Sequence, residues 1–175
     1  MGVVSAKSKI LHAAACVVER AGAGHLTLDA VAEESKLSKG GLLYHFPSKR
    51  ALLSGMLEHL LDRLQERAHE AQLATEASTV SALIQAQQTQ DDDERAMGRA
   101  LIAAAAEDPS LLEPARKVLN AWIAAVREES HYGVLLLLAV EGLRFMEMLN
   151  LLDLAPAERA RLYQQMAELA QEVAV

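Results

Sequence analysis

Apolar residues recur at spacings of three and four along most of this chain, the period of amphipathic helices. Ile10, Leu11, Ala14, Val17, Val18 and Ala21 mark the first, over about 7–21, and Gly22 and Gly24 suit a C-terminal cap and turn. Thr27 caps a short helix at 28–35 with Asp29 in its first turn, and Ser38 caps another that runs to about His45. Pro47 breaks the chain. Ser48 then caps a long helix reaching about Leu73, with Leu53, Leu57, Leu60 and Leu64 along one stripe. At about 1.5 Å per residue it is nearly 40 Å long, enough to join two domains. Five more helices are predicted near 76–89, 93–107, 110–130, 132–151 and 156–173. Asp91, Asp92 and Asp93 favour one start through the helix dipole. Ser110-Leu111-Leu112-Glu113 matches a capping box whose start Pro114 can shift, and Pro156 suits a first turn. The pattern predicts an all-α fold of about nine helices.

Composition agrees. Apolar residues are 51% and aromatics only 3%, so the chain can bury a core but lacks the aromatic residues that favour sheets. The net charge of -7 alone argues against a nucleic-acid binder. Residues 1–50, however, hold seven Lys/Arg against four Asp/Glu, so a basic end precedes an acidic remainder. That asymmetry either orients the protein on a polyanion or is an uneven solvated surface. The single cysteine, Cys16, excludes an internal disulfide and suits buried packing better than a redox sensor. No basic n-region followed by a signal-peptide core is seen, so no leader is expected, and the longest apolar run, Gly133 to Val140, is far short of the about 20 residues that span a bilayer. A soluble cytoplasmic protein is expected. The six histidines show no ligand spacing, so no metal site is expected; no phosphate-binding glycine-lysine loop and no hydrolase or protease motif occurs.

The informative stretch is Thr27–Arg50, TLDAVAEESKLSKGGLLYHFPSKR. Two short capped helices meet at a tight turn, Ser35-Lys36-Leu37, with Ala30, Val31, Leu37, Leu42 and Leu43 available for a small core. This is helix-turn-helix patterning, whose second helix can enter the major groove. Lys39 can reach base edges or phosphates. Gly40 and Gly41 each cost about 1 kcal/mol relative to Ala inside a helix, which suggests a surface that lies close to something. Tyr44, His45, Lys49 and Arg50 add phosphate-binding chemistry. Tyr44 and Phe46 can alternatively be core aromatics, the reading preferred for Phe46, and His45 an ordinary exposed histidine.

The segment LSKGGLLYHFPSKRALL closely resembles the signature of the tetracycline-repressor (TetR) family, and the preceding LTLDAVAEESKLS fits its second helix and turn. The resemblance covers roughly 7–60, about a third of the chain. It implies a DNA-binding domain over 1–50, with the helix-turn-helix at about 27–46, and a ligand-binding and dimerisation domain over 51–175. It further implies that Thr27 touches phosphate, that Ser38, Lys39 and Gly40 face the groove, and that Tyr44, His45 and Lys49 clamp the backbone. Gly41 often has a polar Ser or Thr counterpart in relatives, so base readout there is in doubt.

Relatives dimerise through their last two long helices. Here Leu162, Met166, Leu169 and Val173 line one face of the final helix, and Val134, Leu137, Leu138 and Leu149 are matching positions before it. These stripes either pair two copies or close the core of one. A ligand pocket is expected among Met97, Leu101, Trp122, Phe145 and Met148, with Glu141 as a polar group. Glu141 either neutralises a cationic ligand or is exposed or paired with Arg144, and Trp122 is either wall or core.

The expectation is a ligand-responsive repressor, not an enzyme. It needs no cofactor, and its partners are a palindromic double-stranded DNA operator, a second copy and an unidentified small apolar or cationic effector. A helical small-molecule binder or enzyme without DNA function, and a non-specific architectural DNA binder, are the rivals.

Overall fold

The computed structural model describes residues 5–75, 77–129 and 131–172. Nine α-helices occur among them: α1 (Ala6–Ala21), α2 (Leu28–Ser35), α3 (Lys39–His45), α4 (Lys49–Thr75), α5 (Thr79–Gln88), α6 (Asp92–Glu107), α7 (Glu113–Glu129), α8 (Gly133–Met148) and α9 (Pro156–Glu172). Two 3₁₀ turns, Ala23–His25 and Pro109–Leu112, complete the described elements, and no strand is found among these residues.

The caps explain the boundaries. Thr27 Oγ1 accepts from Ala30 N–H at 3.2 Å, Ser38 Oγ from Gly41 N–H at 3.1 Å and Ser48 Oγ from Ala51 N–H at 3.0 Å. Asp91 caps α6 through Glu94 N–H at 2.9 Å. The predicted capping box at Ser110 does not form. Asp108 accepts from Ser110 N–H at 3.2 Å and starts the 3₁₀ turn, and α7 begins only at Glu113, where the ring of Pro114 fits the first turn.

The chain divides into two compact units, residues 1–60 with 91–114, and 61–90 with 115–175. These boundaries differ from a division at residue 50, because α6 packs on α1. In the first unit α1 also packs on α2, and α2 on α3. Ile10, Val17, Leu26, Val31, Leu42, Leu52, Met56 and Met97 are fully enclosed there. The Phe46 ring lies where a Cβ on Gly55 would stand, so Gly55 gives the aromatic its seat. In the second unit α5 packs on α8 and α9, and α8 packs on α9. Its core joins Leu64 and Ala68 of α4 to Val80, Leu83 and Ile84 of α5, Val126 of α7, Leu136, Leu137 and Val140 of α8, and Tyr163 of α9. No described helix is long and apolar enough to cross a membrane.

Candidate nucleic-acid interface

The turn between α2 and α3 is built from backbone geometry. Lys36 takes a left-handed conformation, φ 56°, after α2. Its N–H reaches Glu33 O and that of Leu37 reaches Ala32 O, both at 3.2 Å, closing the helix end as a Schellman motif. This reverses the chain in two residues and sends it into α3. Leu42 faces inward with no exposure, so Gly40, Tyr44 and His45 are carried on the outer side. Lys39 Nζ pairs with Asp29 Oδ1 at 2.7 Å, which ties the first turn of α3 to that of α2. The Thr27- and Ser38-capped helix starts therefore lie close together.

The side chains around these starts are solvent-facing. Thr27, Ser38, Lys39, Gly40, Tyr44, His45 and Lys49 are exposed and Gly41 is half-buried. Tyr44 is 85% exposed, whereas Phe46, two residues on, is 4% exposed and belongs to the core. The Tyr44 and His45 rings stack edge to face, with centroids 5.1 Å apart. A Cβ at Gly40 would meet nothing within 4 Å, so no packing inside the protein demands glycine there. A Cβ at Gly41 would touch Ser38 Oγ at 3.3 Å, a contact the cap itself creates. An exposed phenol, imidazole and two lysines beside two helix starts offer hydrogen bonds and positive charge to a polyanion.

Arg50, grouped with this surface by its charge, has another partner. Its guanidinium pairs with Asp108 and donates to Ser110 Oγ at 3.0 Å, fastening the start of α4 to the Pro109–Leu112 turn. Asp29 escaped sequence reasoning although it holds Lys39; its place in a helix's first turn explained it without a partner.

The six residues expected in a ligand pocket fall in two units. Met97 and Leu101 are buried in the first, on the helix that packs against α1, while Trp122, Glu141, Phe145 and Met148 belong to the second. Phe145 is exposed, at helical spacing with the exposed Leu138 and Leu149. Trp122 packs half-buried against the second core. Glu141 is held by Arg144, at 2.7 and 3.0 Å, and by Gln87 Nε2 at 2.8 Å, so the Arg144 pairing is the arrangement observed. Gln87 is a polar group the sequence analysis missed. It is 1% exposed, and its Oε1, like Ser81 Oγ, is buried without a hydrogen-bond partner among the described residues. Its seven-residue offset from Val80, on the buried stripe of α5, was the available signal.

Of the residues expected at a dimer contact, Leu138 and Leu169 are exposed, and Val134, Leu162 and Met166 half-buried. Val173 lies outside the described residues. Leu137, named with them, is fully buried in the core.

The comparisons with known proteins match both halves. Residues 10–56 match the family "Bacterial regulatory proteins, tetR family", and residues 77–171 match "Tetracyclin repressor-like, C-terminal domain". The HTH-type transcriptional regulator BetI of Pseudomonas aeruginosa is 26% identical over 129 residues, which are 74% of this chain and 57% of BetI. The chain thus spans little more than half the length of that curated relative. Among solved structures, a TetR-family transcriptional regulator from Rhodococcus sp. superposes with a TM-score of 0.70 at 20% identity, over 97% of this chain and 98% of that one. The multidrug binding protein EbrR, solved with imidazole, superposes with a TM-score of 0.66 at 19% identity, over 98% and 96%. With the C-terminal family match alone covering more than half its length, the chain belongs to the TetR family of transcriptional regulators, which are not enzymes.

Proposed function

We propose that this protein is a ligand-responsive repressor whose two copies hold a palindromic operator in the cytoplasm until a small effector releases it. The single observation that carries the DNA half of this proposal is the exposed surface formed by Thr27, Ser38, Lys39, Gly40, Gly41, Tyr44, His45 and Lys49 around two adjoining helix starts. Ser38, Lys39 and Gly40 face the groove, with Thr27, Tyr44, His45 and Lys49 on phosphates.

The second copy is supported by α8. Leu135, Leu138, Phe145, Met146 and Leu149 are exposed at helical spacing, a stripe of the size and chemistry that a matching surface covers. The exposed Leu169 and the partly exposed Leu162 and Met166 of α9 are assigned to the same contact. Two copies then present two recognition helices at about 34–36 Å, one helical turn of DNA.

The effector is assigned to the second unit, with Trp122 as apolar contact and Gln87 Oε1 and Ser81 Oγ as polar atoms without a hydrogen-bond partner among the described residues. EbrR, which shares the fold, is a multidrug binding protein, in keeping with a small-molecule effector here. A cationic effector has to displace Arg144 from Glu141, and an apolar one does not. No resident cofactor is needed. Release follows if the effector binds a DNA-incompetent arrangement more tightly than the competent one, since only that difference shifts the equilibrium.

Selection from random DNA fragments with the full chain, followed by sequencing, tests the proposal. An enriched inverted repeat is expected. Recovery of all sequences alike contradicts it.

A further inference from the structure

The fold brings together three side chains that the DNA and effector surfaces do not use. His12 and Cys16 are four residues apart on α1 and so share one face. Asp93 stands in the first turn of α6, which packs on α1 in the same compact unit. One donor atom from each of the three lies within 4.8 Å of the others. Cys16 Sγ is 3.7 Å from His12 Nε2, and the Asp93 carboxylate contacts His12 Nδ1. Cys16, Asp93, Asp92, Glu19 and Arg20 line a cavity of about 270 Å³, open to solvent.

We propose that His12, Cys16 and Asp93 form a site for a zinc-like divalent ion. A thiolate, an imidazole and a carboxylate are the donor types zinc takes, at about 2.3, 2.0–2.1 and 2.0–2.2 Å. A tetrahedral ion with those bond lengths separates its donors by roughly 3.3–3.7 Å. The sulfur–nitrogen distance already has this value. His12 is exposed and the other two side chains half-buried, so side-chain rotation can bring the third donor in. Solvent supplies the fourth position. On binding, the Cys16 S–H bond breaks, its proton passes to water, and a metal–sulfur bond forms without any redox change.

The surroundings of Cys16 do not favour a free, reactive thiolate. Burial pushes the Cys16 thiol up, and the negative charges of Asp93 and Glu34 push it further, against a lowering by Arg20. A reactive-thiol sensor would need the opposite environment. The nearby cations are engaged: Arg20 with Glu34, Arg99 with Glu19 and Arg95 with Asp92. A metal here would link α1 to the start of α6.

The test titrates the full chain, purified metal-free and reduced, with Zn²⁺ by calorimetry and with Co²⁺ by absorbance. One ion per chain is expected, with a thiolate-to-cobalt charge-transfer band in the near ultraviolet. Cys16→Ser should abolish the band and weaken zinc binding at least tenfold. His12→Asn, at an exposed position, should weaken it comparably while leaving the circular dichroism of the helices unchanged, and keeps the test decisive if Cys16→Ser misfolds. Asp93→Asn should weaken it at least tenfold. His69→Asn, on α4, should bind like wild type. Absence of the cobalt band in the wild type, or zinc affinity unmoved by His12→Asn, would overturn the site. Any effect on DNA binding rests on the repressor proposal; the titration is done without DNA, so the two fail separately.

Discussion

Residues 27–49 and the α8 stripe at 135–149 both leave unusual side chains in water, with opposite chemistry. The first shows a tyrosine, a histidine, three lysines and an exposed glycine; the second shows leucines, a methionine and a phenylalanine. In the first, the apolar neighbours are turned inward: Phe46 is buried while Tyr44 is 85% exposed. In the second, apolar residues point both ways. Leu136, Leu137 and Val140 complete a core, and Leu138, 54% exposed, is left over. The difference matches the roles proposed for the two surfaces. A polar face that costs nothing in water suits a partner that comes and goes, such as DNA. An apolar face, costing about 25 cal/mol per Å², suits one that stays.

Five substitutions break or sharpen that contrast. The largest effect is expected from Leu138→Glu. It should turn a dimer into a folded monomer in sedimentation experiments and lower affinity for a two-site operator by about 10²–10⁴, since the second DNA-binding surface is no longer tethered. An unchanged dimer would remove α8 from the interface.

Phe46 and Tyr44 separate core from surface within three residues. Phe46→Ala should cost about 3–5 kcal/mol in urea unfolding. Tyr44→Ala should stay within about 0.5 kcal/mol while weakening operator binding about tenfold. If Tyr44→Ala unfolds the protein, that residue is structural.

The helix caps were legible in the sequence, because a hydroxyl before an amphipathic run has few other uses. Thr27, Ser38 and Ser48 stand where periodicity placed them. The α7 start was not legible, since Asp108 and Ser110 are both competent caps and only the geometry around Pro109 chooses. Nor could periodicity orient α8, where Gly133 to Val140 is apolar on every side; Leu137 and Leu138 are adjacent, and packing alone sends one in and one out. Met97 and Leu101 show the same limit: a methionine on an amphipathic helix looks alike whether it lines a pocket or meets α1. His12 and Asp93, 81 residues apart, are joined only by the α1–α6 contact.

Smaller effects concern charge. Lys49→Ala should weaken binding to all DNA sequences and reduce the slope of log affinity against log salt by about 1. An unchanged slope would take Lys49 off the phosphate backbone. Asp29→Asn frees Lys39 from its 2.7 Å pair and removes a negative charge beside it. Affinity for any duplex should rise up to about fivefold, in keeping with a surface pair worth at most about 1 kcal/mol. A fall in affinity would mean that Asp29 holds Lys39 in its binding position.

Hydroxyl-radical footprinting of the wild-type protein on the selected duplex tests the central claim most directly. Two symmetric protected patches on one face of the DNA, one helical turn or about 34–36 Å apart, are predicted. A single patch, or protection spread evenly along the duplex, would contradict a pair of recognition surfaces reading two half-sites.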